Sequence, residues 1–175
     1  MTLIASHDIS FESAIALTER FIEQINTIDE KQKQEIITSL VQSANGSRGF
    51  FVTYLTSDNP IVGQVSSGII DGLKSSPEIV SELLVKNIAM STAMKITHNR
   101  NNNPEMAQQS EIVTSRSLKL VNLLQLAQIN SKIAKMCQSI TKADGDYEQF
   151  FQRWGYDDEQ KKAIYDTLCH GEKRS

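Results

Sequence analysis

Apolar residues in the first third of the chain recur every three or four positions, which is the period of an α-helix. Over residues 11–25 they are interspersed with glutamates, and this pattern predicts an amphipathic helix for which Asp8 or Ser10 is the N-cap. Thr27 and Glu30 have the spacing of a capping box, and they predict a second helix over about 28–44. Each helix would bury one face and expose the other to water.

The next 30 residues combine features that favour helices with features that interrupt them. Residues 47–57 are rich in aromatic and β-branched side chains, but we predict a helix because no partner strand is visible elsewhere. Asn59-Pro60 has the signature of a helix start, and we expect that helix to span 60–74. Glycines at positions 63, 68 and 72 are unfavourable within it, which predicts either close backbone packing or a break.

The centre of the chain predicts two long helices joined by a loop. Apolar residues cover most of the circumference of a helix over 78–98, so this helix would be largely buried. Residues 99–104 are the clearest loop in the sequence. No proline or glycine interrupts residues 105–141, and one helix of that length would span roughly 55 Å. We therefore expect it to break near residues 114–117 or to project into a partner.

These elements define the expected fold. The class is all-α, a single irregular helical bundle of about six to eight helices around a central antiparallel helical hairpin. The single domain, residues 1–175, contains in chain order the acidic N-terminal helices (10–57), the glycine-bearing helix (60–74), the central hairpin (78–141) and the aromatic C-terminal helices (146–170).

The composition agrees with this fold and excludes several protein classes. Eight glycines and three prolines in 175 residues are few, which favours long helices over many short strands. Lys and Arg number 18 and Asp and Glu 21, a net charge of −3, so neither a polybasic tail nor an acidic disordered chain is indicated. No secretory signal and no apolar run of ~18 residues is visible. We expect a cytoplasmic protein without a membrane partner.

The sequence offers no motif that would bind a metal or catalyse a reaction. Cys137 and Cys169 lie 32 positions apart without a CxxC pair, so we expect free thiols, no disulfide and no zinc site. The three histidines are scattered singly, and no acid pair is placed for proton transfer. We therefore name no metal, no cofactor and no catalytic residue, and a non-enzyme is favoured over an enzyme.

Charge is unevenly distributed along the chain. Residues 1–60 carry eight acids against four bases (net −4), whereas residues 86–142 carry eight bases against two acids (net +6). Either the two regions pack together and their fields partly cancel, or the basic one faces an anionic ligand. The candidate anion-binding residues are Lys86, Lys95, His98, Arg100, Arg116 and Lys119. Arg116 and Lys119 lie on a different side of the helix from Lys132 and Lys135, so the bases form no continuous stripe. The basic region also contains no aromatic residue, and both features argue against nucleic acid as the ligand.

Aromatic residues are concentrated near the C-terminus, where six of the eleven lie between positions 147 and 165. Such a cluster can dock a partner, because aromatic side chains dominate the energetics of interfaces. More often a terminal aromatic helix seals the core of a small bundle. The candidate interface residues are Phe150, Phe151, Trp154 and Tyr156.

Function is inferred largely by exclusion. The leading hypothesis is a cytosolic helical interaction or regulatory protein without catalytic activity, acting as a homodimer or with another protein. A partner would then cover the surplus length of the 105–141 helix and the apolar surface of the 78–96 helix. The alternative is a helical enzyme or small-anion sensor with a basic pocket near the central hairpin. A second alternative is a nucleic-acid-binding protein.

Overall fold

The computed structural model describes residues 3–169, and every regular element within them is helical. The all-α class is thereby confirmed, with nine α-helices in the described chain where the sequence pattern predicts six to eight. In chain order they are α1 (Phe11–Gln24), α2 (Glu30–Val41), α3 (Ala44–Thr56), α4 (Ser67–Lys74), α5 (Pro77–Arg100), α6 (Pro104–Leu124), α7 (Ala127–Lys142), α8 (Glu148–Trp154) and α9 (Asp158–Leu168).

The described residues divide into two compact units. The first unit contains residues 3–83 and 119–126, and the second contains 84–118 and 127–169. The long helices α5 and α6 therefore contribute residues to both units.

Glycines allow two pairs of helices in the first unit to pack closely. A Cβ added at Gly49 of α3 would lie 2.4 Å from the Ala14 Cβ of α1, and one added at Gly72 of α4 would lie 2.6 Å from the Ile37 Cβ of α2. These distances are shorter than any normal contact between carbon atoms. The close packing that the glycines predict is thus observed for α4 against α2.

The prediction of one helix over residues 60–74 is wrong. Pro60–Gly63 forms a single 3-10 turn, and the chain is extended at Gln64 before α4 begins at Ser67. The Asn59 side chain accepts a hydrogen bond from the Ile61 amide at 3.0 Å, so the Asn-Pro signature does start a helical turn. The turn ends at Gly63, because glycine loses more backbone conformational entropy in a helix than any other residue.

Helix starts in the first unit rest on side-chain caps, one of which differs from the expectation. Ser10 caps α1 as predicted. The capping box of α2 consists of Asp29 and Gln32 rather than Thr27 and Glu30. The Glu30 carboxylate instead accepts a hydrogen bond from the Gly68 amide, in the first turn of α4, at 2.8 Å.

The parts of α5 and α6 that belong to the second unit form the expected antiparallel hairpin. The hydroxyls of Ser91 and Thr114 are 2.6 Å apart, and Lys95 pairs with Glu111 at 3.1 Å, so residue numbers fall along one helix as they rise along the other. The connection turns at Asn102, which has a positive φ of 56°. Asparagine tolerates this left-handed conformation better than most residues.

The segment 105–141 breaks at residues 125–126 and not near 114–117 as predicted. Gln125 has a φ of 48°, and this left-handed residue ends α6 at Leu124 before α7 begins at Ala127. The prediction failed because glutamine carries no sequence signal for a left-handed conformation, unlike glycine or asparagine.

Cys137 and Cys169 form a disulfide, so the prediction of free thiols without a disulfide is wrong. Cys137 lies on α7 and Cys169 is the C-cap of α9. The chain turns at Gly145 and Gly155, both with positive φ, and the two Cα atoms end 6.0 Å apart. Residues far apart in sequence can lie close together in the fold, so the spacing of the two cysteines could not exclude a disulfide.

The buried side chain of Gln160 fixes the start of α9 against α5. Its carbonyl oxygen accepts a hydrogen bond from the Asp157 amide at 3.0 Å as part of a capping box. Its amide nitrogen donates to the carbonyl of Ala93 at 3.0 Å and to the hydroxyl of Thr97 at 2.9 Å. One side chain thus serves both a helix cap and a helix–helix contact.

Candidate functional site

Arg100 and Lys95, both candidate anion-binding residues, form ion pairs with acids of the chain. The Arg100 guanidinium contacts Asp157 at 2.7 Å and Glu159 at 2.9 Å, while Lys95 pairs with Glu111. The hydrogen bonds from Arg100 and from the Gln160 backbone hold the pKa of Asp157 below its usual value. The same acids raise the pKa of Arg100. An added anion would have to compete with these carboxylates.

The other four candidates lie in different surroundings. The Lys119 ammonium, in the first unit, donates to the Gly63 carbonyl. In the second unit the Lys86 ammonium lies 5.9 Å from the centre of the Phe150 ring, a distance at which a cation is attracted to an aromatic face. His98 and Arg116 are half-buried. Lys86, Lys95, Arg100 and Lys119 thus each have at least one contact with a different group of the chain.

The candidate interface residues divide into three that are covered and one that is exposed. Phe151 and Tyr156 are buried, and burial raises the pKa of Tyr156 to about 12. Phe150 is half-buried and contacts both of these rings edge-on. Trp154 leaves 47% of its surface exposed, with the Arg153 guanidinium 5.5 Å from its ring. The cluster is mainly part of the core of the second unit.

The first half of α6 presents apolar side chains to solvent. Met106 is 45% exposed and Ile112 is 39% exposed. Between residues 104 and 116 the helix fully buries Ala107 alone. By contrast, α5 buries a full set of apolar side chains within the chain, among them Val80, Leu84, Val85, Ile88, Ala89 and Ala93. The most exposed large apolar side chains of the hairpin, Met106, Ile112 and Leu123, thus all lie on α6.

Sequence reasoning missed an open groove of about 610 Å³ in the first unit, which we name the α2 groove. It lies beside the N-terminal residues Ile4 and Ala5 and is lined on the other side by residues of α2: Lys31, Gln34, Glu35, Thr38, Ser39 and Gln42. One signal could have indicated it. Ser39 interrupts the apolar run Ile36 to Val41, and a polar residue on a buried face requires a hydrogen-bonding partner.

Among residues 3–169, no three His, Cys, Asp or Glu side chains are close enough together to hold a metal ion. Over the same residues, no helix is both long and apolar enough to cross a membrane.

The sequence matches one protein family over residues 10–170, with the description "Uncharacterised conserved protein UCP020893". The chain belongs to this family. The matched segment contains all nine helices of the described chain and both cysteines of the disulfide. The N-terminal rim of the α2 groove precedes it. No curated protein and no solved structure matches the chain.

Proposed function

We propose that this protein is a non-catalytic helical interaction protein that acts as a homodimer through the first half of α6. The observation that carries the proposal is the exposure of Met106 and Ile112 on a helix segment that fully buries a single residue. Large apolar side chains gain about 25 cal/mol for each Å² removed from water. A second copy of the same surface would provide that burial.

The geometry of α6 suits a symmetric contact. Met106, Gln109 and Ile112 are three residues apart and form one ridge on the helix surface. Two copies that cross antiparallel at Gln109 would place Met106 of one copy beside Ile112 of the other. A two-fold dimer requires this self-complementarity, in which each residue pair occurs twice.

The electrostatics of the surrounding surface are compatible with this contact. Lys95 and Arg100, two cations of the hairpin, form ion pairs with acids of the same chain. Two like-charged copies would otherwise repel each other at short range.

Light scattering coupled to size exclusion tests the proposal on the full chain at micromolar concentration. We expect twice the mass of one chain for the wild type and a single-chain mass for Ile112→Glu and Met106→Glu. Val52→Glu is the control, because Val52 on α3 is 44% exposed and lies outside α6. A single-chain mass for the wild type would overturn the proposal.

Trp154 distinguishes the α6 contact from one through the aromatic residues. It is the one tryptophan of the chain, so its emission spectrum reports whether this ring becomes covered. We expect no change in emission on dilution and no change in mass for Trp154→Ala. Dissociation of that variant, with Ile112→Glu still dimeric, would place the contact at α8 instead.

The proposal includes a cytoplasmic location. Glutathione and thioredoxin keep most thiols reduced there, so the Cys137–Cys169 disulfide counts against this part of the proposal, and a mostly oxidised pair in the cell would overturn it. Rapid alkylation of lysates followed by mass analysis of Cys137 and Cys169 tests this part. The two alternatives are tested with the purified full chain. An anion sensor should be stabilised by phosphate, and a nucleic-acid-binding protein should be retained on heparin at about 50 mM salt.

A further inference from the structure

The N-terminal rim of the α2 groove is an extended segment fixed along α2. Leu3 and Ala5 are buried whereas Ile4, between them, is 47% exposed, the alternation expected of extended chain. The Ala5 amide donates to the Ser39 hydroxyl at 2.9 Å, and its carbonyl accepts from the Gln42 amide at 3.4 Å. These contacts hold the rim in place and leave Ile4 free to contact a ligand.

The α2 side of the groove carries polar groups that the chain leaves unengaged. Within residues 3–169, no hydrogen bond or ion pair is observed for the side chains of Lys31, Gln34, Glu35 or Thr38. Amide and hydroxyl groups both donate and accept hydrogen bonds. They therefore suit a peptide backbone, which presents both N–H and C=O groups.

The spacing of the two charges matches an extended peptide. Lys31 and Glu35 are one helical turn apart, which is about 6 Å along the helix at 1.5 Å per residue. Side chains on one face of an extended chain repeat every two residues, a distance of about 6.6 Å. From Lys31 to Gln42 the wall is about 16 Å long, which accommodates about five extended residues.

We propose that the α2 groove binds an extended peptide segment of a partner protein, with an acidic and a basic side chain two positions apart. The acidic side chain pairs with Lys31 and the basic one with Glu35, while Ile4 contacts an apolar or β-branched residue of the peptide. This site lies on the first unit and does not depend on the α6 contact of the proposed dimer.

The test uses the full chain and labelled synthetic heptapeptides that differ only in the charged pair: Glu-x-Lys, Lys-x-Glu, Glu-x-Glu and Lys-x-Lys. Fluorescence anisotropy measures affinity, and the amide resonances of Ala5 and Gln42 locate the binding. We expect the wild type to prefer the two mixed peptides by about fivefold, since an exposed ion pair contributes modestly. Testing both orders covers both directions of the peptide.

Charge reversals should change the preference in a defined way. Lys31→Glu creates two acids and should favour Lys-x-Lys, whereas Glu35→Lys creates two bases and should favour Glu-x-Glu. Ile4→Asp should weaken the mixed peptides, and Val52→Asp, on the exposed surface of α3, should not. Circular dichroism of each variant checks that the fold is retained.

Three outcomes would overturn the inference. They are no saturable binding of any peptide up to millimolar concentration, an unchanged preference in both charge-reversed variants, and resonance changes confined to other surfaces. Concentration-dependent changes at Ala5 and Gln42 without peptide would show that a second copy fills the groove, and would also overturn it. Light scattering of the same samples reports the α6 dimer separately.

Discussion

Reduction of the Cys137–Cys169 disulfide should lower the stability of the protein by about 3 to 4 kcal/mol. The bond joins residues 32 positions apart. Restriction of the unfolded chain is worth about 3 kcal/mol for a 15-residue loop and about 4.7 kcal/mol for a 100-residue loop, and this loop falls between them. With urea slopes of about 1–3 kcal/mol per molar, the unfolding midpoint should fall by roughly 1–4 M.

Urea titration with and without a reductant, followed by circular dichroism, measures this change. The control is the double variant Cys137→Ala/Cys169→Ala, which should unfold at one midpoint in both conditions. Thiol counting in denaturant should find no free thiol in the oxidised protein. Two free thiols would refute the pairing, and a loss below about 1 kcal/mol on reduction would refute the loop argument.

Three further predictions concern packing, acid stability and capping. Gly72→Ala should cost about 1–3 kcal/mol in thermal or urea unfolding because its Cβ would meet Ile37, whereas Gly63→Ala, with nothing within 4 Å, should cost far less. The lowered pKa of Asp157 means that its ionised form contributes stability above about pH 4, which is lost as pH falls through the folded-state pKa. Arg100→Gln should therefore flatten the decline in melting temperature between about pH 5 and pH 3, and an unchanged decline would contradict the role of Arg100. Burial opposes ionisation of Glu30, but the Gly68 amide and Lys33 lower its pKa overall. Glu30→Gln should thus lower the stability by about 0.5–1 kcal/mol, measured against Glu35→Gln, for which we expect no loss.

Sequence periodicity predicted the elements whose ends carry chemical signals. Ser10 and Asn59-Pro60 mark the starts of helical turns where the structure has them, because short polar side chains and proline act within one turn of the backbone. Gln125 ends a helix without such a signal, because glutamine is not a residue type that favours the left-handed conformation it adopts. The capping of α4 by Glu30 links positions 38 residues apart, and no local pattern encodes that contact.

The candidate sites were less predictable for the same reason. Lys95 and Arg100 were recognisable as cations, but their pairing with Glu111, Asp157 and Glu159 depends on how α5, α6 and α9 pack. Phe151 and Tyr156 were recognisable as aromatic, and their burial follows from the same packing. The α2 groove depends on where the first residues of the chain lie along α2, which residue spacing does not determine.

The double role of Gln160 has a consequence for how the C-terminal helix folds. An 11-residue helix is too short to persist alone in water. The Gln160 side chain that completes the capping box of its first turn is also the one that donates to Ala93 and Thr97. Nucleation and docking of α9 should therefore be a single cooperative event. In hydrogen exchange, the amides of α9 should open together with those around Ala93, as one folding unit with a common protection factor.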